Sequence, residues 1–229
     1  MSAIALIIGG YLLGALPFSV ALATASGIDA SDAGDIQVAL WHKVGKLQAV
    51  VAAMVDFAKG VFPVLVGFGF SLPILVVALS GVAAVVGQMW PPLRGHGGKG
   101  DGTGAGALVM LLLLYEAYVP LLCVVFFIAG AALRWLALSW SSPERHSPVH
   151  PLSVALPVGM LLGFLAAPLI CWLTGQPQGL TWGLVLMLCA IVARRLTAGL
   201  LVDMSVGVGM GRVVLRRVLF DERLSGRRW

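Results

Sequence analysis

Charged residues are missing from long stretches of this chain, and that pattern constrains its fold more than any other feature. None occurs before Asp29, none from Gly60 to Leu93, only Glu116 between Gly102 and Leu133, and none from Ser147 to Ala193. A helix needs roughly 20 apolar residues to cross a hydrocarbon core of about 30 Å, and these stretches are that long or longer. Composition agrees: 59% of residues are hydrophobic, with 29 glycines besides, and 11% are charged, less than half the share of about 25% found in soluble domains. A soluble enzyme, a disordered chain and a disulfide-rich secreted module are excluded. The chain reads as an all-α, polytopic membrane protein.

The punctuation predicts helices near 3–25, 47–70, 73–92, 152–174 and 179–197. Residues 102–133 admit one tilted span or a hairpin turning at Tyr115 to Pro120 whose second arm runs to about Trp140. Charge decides between them. With the hairpin there are seven transmembrane helices, and Lys43, Lys46, Arg94, Lys99, Arg145, Arg212, Arg216 and Arg217 all fall on one side. Loops rich in Lys and Arg face the cytoplasm, which puts the N-terminus outside and the C-terminus inside. Residues 1–205 form the membrane domain and 206–229 a basic cytoplasmic tail. In that tail Val213, Val214, Leu215, Val218, Leu219 and Phe220 lie among arginines, the pattern of an interfacial helix on anionic lipid.

Several features read as structural. The first segment has no basic n-region and is too long for a cleaved signal peptide. Cys123, Cys171 and Cys189 lie within spans and form no paired motif. Gly10 with Gly14, and Gly102 with Gly106, are spaced for close helix packing within the chain, with a dimer contact as the alternative. His146 and His150 are separated by Pro148, which prevents one helix from bringing them together on a metal.

Two groups carry chemistry. Asp56 and Lys59 are three residues apart in the second span and so share a face; charges at membrane depth turn inward and pair, for catalysis or simply for neutrality. The loop Arg94-Gly95-His96-Gly97-Gly98-Lys99-Gly100 precedes the fourth span. Its glycines free backbone N–H groups to converge beside a positive helix end, an arrangement suited to phosphate; a flexible connector is the plainer reading. Gly98-Lys99 is followed by Gly100 rather than Ser or Thr, so this is not a Walker A loop. Asp101 either caps the fourth helix or repels an anion there.

Tyr11-Leu-Leu-Gly14-Ala-Leu-Pro17-Phe18, Asp56-Phe-Ala-Lys59-Gly60, Gly87-Gln-Met-Trp90-Pro91 and Gly97-Gly98-Lys99-Gly100 resemble, in order and spacing, the PlsY-type glycerol-3-phosphate acyltransferases. The resemblance runs through most of residues 1–205 and is most specific in the Asp-x-x-Lys-Gly and Gly-Gly-Lys-Gly motifs. It implies a seven-helix acyltransferase of the bacterial inner membrane with its active site facing the cytoplasm. The reaction implied moves a fatty acyl group from acyl phosphate to the 1-hydroxyl of glycerol 3-phosphate, giving lysophosphatidic acid and phosphate. Lys99, Asp56 and Lys59 are then the candidate catalytic residues, with Lys99 on phosphate and the pair supporting the site. Arg94, His96, Gly97, Gly98, Gly100, His42, Lys43, Ser153 and Arg194 are the candidate binding residues. Ser153 has a plainer reading as a helix-end serine bonding the backbone. Membrane lipid is the only further partner; the reading is of a monomer with no nucleic acid, cofactor or metal.

The chain departs from the family at three places. Gly34 to Lys43 replaces a Ser-Gly-Asn-x-Gly-Ala-Thr-Asn loop and its arginine, leaving His42 and Lys43 as stand-ins. Gln88 stands where the family usually has His, and Arg194-Arg195-Leu196-Thr197 replaces a His-x-x-Asn pattern. Three readings therefore stay open: the acyltransferase, a non-catalytic or altered-acceptor paralogue, and a small transporter using Asp56 and Lys59 as a relay.

Overall fold

The computed structural model describes residues 2–28, 36–92, 97–140, 155–197 and 210–220. Among them the chain forms α1 (Ala3–Ala15), α2 (Phe18–Ala25), α3 (Ile36–Lys43), α4 (Lys46–Gly69), α5 (Ile74–Met89) and α6 (Asp101–Leu114). A 3-10 turn (Pro120–Cys123) leads into α7 (Val124–Trp140), followed by α8 (Ala155–Leu173), α9 (Gln178–Thr197) and α10 (Met210–Phe220). No strand occurs among the described residues. Among the described residues four segments are long and apolar enough to cross a membrane: Ala3–Ala25, Lys46–Gly69, Leu156–Leu173 and Gln178–Thr197. Ile74–Met89, Asp101–Leu114 and Pro120–Leu136 are shorter apolar helices. The sequence boundaries hold to within a few residues, including the hairpin turn after Leu114.

Small residues set the helix neighbours. Gly10 and Gly14 of α1 lie on the Ser80 and Ala84 carbonyls of α5, so the two helices run side by side in the same direction. Thr103 of α6 meets Asp56 of α4 and, one turn on, Ala107 meets Gly60, so α4 and α6 are parallel too. Close backbone approach maximises dispersion contacts, which drive helix association where lipid offers no hydrophobic gain. The main core then fills with Val64, Leu108, Leu111, Phe164, Leu184 and Ile191. On the outside of α4, Leu47, Val50, Met54 and Phe57 form an exposed apolar stripe at helical spacing, fit to meet acyl chains.

Two features differ from the sequence reading. The first span is broken: Pro17 lacks an N–H and keeps its predecessor out of the helical region, so Leu16 is extended at φ −63, ψ 121 and α2 restarts at Phe18. Residues 36–43, read as loop, are helical because Ile36, Ala39 and Leu40 share one face. That face packs with Ala23, Ile28, Ala49 and Ala52 into a second small core beneath α2 and α4.

The breaks decide where the site lies. α5 and α6 have 16 and 14 residues, about 24 and 21 Å at about 1.5 Å per residue, shorter than a hydrocarbon core. The end of α5, the start of α6 and the α1–α2 break all meet beside Asp56 and Lys59 of the uninterrupted α4. Asp56 lies ten residues into α4 from Lys46, or about 15 Å along its axis.

Candidate active site

Asp56 and Lys59 are both buried, and their side chains pair at 3.0 Å. Lys59 Nζ also donates to the Leu16 carbonyl at 2.7 Å, an acceptor that the helix break sets free. The second carboxylate oxygen of Asp56 accepts from Ser19 Oγ at 2.8 Å. The pair therefore ties both sides of the broken first span to α4. On its far side Thr103 Oγ1 donates to the Asp56 backbone carbonyl at 2.7 Å and also touches the Gln88 side-chain amide. A hydroxyl has one proton, so Thr103 serves either the Asp56 carbonyl or Gln88 Oε1 at any moment and links α4 to the end of α5.

The glycine-rich turn folds back on the end of α5. The Gly98 N–H donates to the Gln88 carbonyl at 2.8 Å, and a Cβ on Gly97 would strike the Met89 carbonyl. Gly100 has φ +80 and is buried against Met89, a left-handed position that a residue with a Cβ occupies only at a cost. The first intrahelical bond of α6 runs from the Gly104 N–H to the Gly100 carbonyl at 2.8 Å. The N–H groups of Asp101, Gly102 and Thr103 precede it, at the positive end of the helix dipole. Lys99, half-buried, stands immediately before them.

Consecutive arginines from α9 hold the two ends of this turn. Arg194 Nη2 donates to the Gly97 carbonyl at 3.2 Å. Arg195 Nη2 pairs with Asp101 Oδ2 at 3.2 Å and bonds the Pro157 carbonyl of α8 at 3.1 Å. Its Nη1 reaches the Val218 carbonyl of α10 at 2.9 Å. From α10, Arg217 donates to the Leu196 and Arg195 carbonyls at 3.3 and 3.5 Å, satisfying acceptors left by the end of α9. α10 buries Val213 and Arg217 against the bundle and exposes Met210, Val214 and Leu215.

Of the residues singled out from sequence, the structure brings together Asp56, Lys59, the Gly97 to Gly100 turn with Lys99, and Arg194. His42 and Lys43 lie exposed at the end of α3, which packs on α2 and α4. Arg94, His96 and Ser153 lie outside the described residues, as do Gly34, Asp35, Arg145, His146 and His150. Sequence reasoning did not single out Ser19, Thr103 or Arg195 as polar partners of the site. Two of them had a signal: Ser19 closely follows the breaking Pro17, and Arg195 is a charge at the inner end of an apolar helix. Among the described residues no cluster of three His, Cys, Asp or Glu side chains is placed to hold a metal.

Comparison with known proteins gives a consistent result. The chain is 37% identical over 103 residues to the glycerol-3-phosphate acyltransferase of Geotalea daltonii, covering 43% of this chain and 53% of that one. It is 34% identical over 105 residues to that of Aquifex aeolicus, covering 44% and 55%. The chain thus spans about half the length of these two relatives. With the enzyme of Allorhizobium ampelinum the match is 29% over 182 residues, 76% of this chain and 80% of that one. Two solved forms of PlsY, an integral membrane glycerol 3-phosphate acyltransferase, share the fold. The lysophosphatidic acid form gives a TM-score of 0.63 at 24% identity, covering 90% of this chain and 93% of that one. The glycerol 3-phosphate form gives 0.63 at 21%, covering 93% and 99%. The family model for glycerol-3-phosphate acyltransferase matches residues 4–201, which include the helices that build the site apart from α10. The chain belongs to the glycerol-3-phosphate acyltransferase family.

Proposed function

We propose that this protein transfers a fatty acyl group from acyl phosphate to the 1-hydroxyl of glycerol 3-phosphate, releasing phosphate and lysophosphatidic acid. The observation that carries the reading is the glycine-rich turn with Lys99 at the start of α6, sunk to the level where α1 and α5 also end. Oriented N–H groups, a helix dipole and a half-buried lysine are suited to a phosphate dianion. The donor brings its own leaving group, so the acceptor oxygen attacks the acyl carbon directly. The bond from that carbon to the phosphate oxygen breaks as the new ester forms, and the hydroxyl proton passes to the departing phosphate. No covalent enzyme intermediate, cofactor or metal is called for.

In this reading Lys99, with Gly97, Gly98 and Gly100, holds the donor phosphate, and Arg194 steadies that turn through Gly97. His42 and Lys43 attract the acceptor's phosphate, and Arg94 and His96, just before the turn in sequence, with Ser153, are assigned to phosphate binding by the family resemblance. Asp56 and Lys59 fix the helix break that forms the wall. The hydropathy and the parallel pairing of α1 with α5 and of α4 with α6 support seven spans, with α1–α2 as one and α5, α6 and α7 as the short ones. The Lys and Arg distribution supports an outer N-terminus with the site and the C-terminus in the cytoplasm, and the family resemblance implies a bacterial inner membrane. Residues 1–205 then form the catalytic domain, acting as a monomer in lipid, and 206–229 the tail.

The test is phosphate release from palmitoyl phosphate by detergent-purified protein, with and without glycerol 3-phosphate, beside Lys99→Ala. The reading expects acceptor-dependent release that falls by roughly 10²–10³ in the variant, the usual cost of losing one preorganised donor to developing charge. Release that ignores the acceptor would mean hydrolysis, and an unimpaired Lys99→Ala would remove the assigned role.

A further inference from the structure

We propose that Arg195 is a positioning residue for the anion site: it neutralises Asp101 within the first turn of α6, so that a carboxylate can sit at the mouth of a phosphate cradle. The inference rests on the acyl-phosphate reading only in taking the Gly97 to Thr103 turn as the place where phosphate binds. Asp101 is the first residue of α6, next to Lys99 and Gly100. Left to itself its charge would satisfy the helix dipole and compete with a bound anion for the same N–H groups. Arg195 meets it at 3.2 Å, with side-chain exposures of 3% and 15% for the arginine and the aspartate.

The guanidinium is held in place by two further bonds. It bonds the Pro157 carbonyl of α8 at 3.1 Å and the Val218 carbonyl of α10 at 2.9 Å. α10 is in turn fastened by Arg217 to the last carbonyls of α9. α10 spans Met210–Phe220, outside residues 4–201 that the family model matches. The pair thus cancels a local negative charge, and a helix beyond the family's common core keeps the cancelling charge in place.

A charge role and a purely structural role predict opposite results for one variant. Asp101→Asn breaks the ion pair but keeps Arg195 and its other bonds. A charge role predicts that inorganic phosphate, titrated calorimetrically into the full chain in detergent, binds this variant at least as tightly as the native protein. A structural role predicts weaker binding. Arg195→Gln shifts the local balance by one negative charge and should weaken phosphate binding by roughly 10–100-fold, the scale of one like charge several ångströms away at an effective dielectric near 20. Asp101→Asn with Arg195→Gln should recover phosphate binding to within about fivefold of native, since both charges are gone. Weaker binding by Asp101→Asn, or a double variant no better than Arg195→Gln with an unchanged melting temperature, overturns the proposal. Phosphate binding without turnover by the native chain would refute the acyltransfer reading and leave these outcomes decisive; no phosphate binding would overturn both.

Discussion

Replacing Lys59 with methionine should destabilise the bundle far more than replacing Lys59 and Asp56 together. Lys59 and Asp56 are three apart on one helix, so their contact survives in a separated, inserted α4 and adds little to tertiary stability. What is lost on helix separation is the 2.7 Å bond from Lys59 to Leu16 and the 2.8 Å bond from Ser19 to Asp56. Interhelical hydrogen bonds in bilayers average about 0.6 kcal/mol and reach about 1.7. Ser19→Ala should therefore cost about 0.6–1.7 kcal/mol. Lys59→Met loses the Leu16 bond and also leaves the Asp56 carboxylate at depth with its lysine gone. Breaking a buried pair from one side costs about 3–5 kcal/mol. In Asp56→Leu with Lys59→Met no charge is left behind, and the cost should fall to about 1.2–3.4 kcal/mol, the range for two lost tertiary bonds. The assay is reversible SDS titration in mixed micelles followed by circular dichroism. A double variant as unstable as Lys59→Met would refute the reasoning, because the cost would then lie in the missing bonds and not in a stranded charge.

Two further changes probe the geometry that the breaks impose. Gly60→Ala sets a Cβ against the Thr103 carbonyl and must push α6 from α4, at about 1–3 kcal/mol for an overpacked contact; the same micelle titration reads it, and acceptor KM should rise as the glycine turn shifts. Gly100→Ala has two costs, the left-handed backbone at φ +80, worth about 1–2 kcal/mol, and collision with Met89. Adding Met89→Ala should relieve the collision and not the backbone, so phosphate release should recover only in part; full recovery would show that the left-handed turn is not needed.

Much of the architecture was legible because hydropathy and length alone demand it. A charge-free run has few alternatives in a bilayer, and the hairpin at Tyr115 to Pro120 followed from keeping Lys and Arg on one side. The break at Leu16 was hidden by reading the first apolar run as continuous, although Pro17 was in plain view. A proline within a span is tolerated when neighbours satisfy the freed carbonyls, and here the Leu16 carbonyl accepts from the Phe18 N–H and from Lys59, distant in sequence. α3 was missed because it is short and its apolar face, Ile36 with Ala39 and Leu40, lies in a segment read for lost family residues. Asp56, Lys59 and the glycine turn were found by their rarity at membrane depth and by spacing. Arg195 was not, since only the fold brings it to Asp101, 94 residues away.

The central claim is one transfer, acyl group to hydroxyl with phosphate leaving, and its most direct test is the product balance of a single incubation. Purified protein is given palmitoyl phosphate and glycerol 3-phosphate, and 1-palmitoyl lysophosphatidic acid is quantified by mass spectrometry alongside free phosphate. The account predicts that the two products rise in equal amounts and that both depend on the acceptor. Phosphate accumulating with palmitic acid, or palmitoyl appearing on an acceptor other than glycerol 3-phosphate, would contradict it.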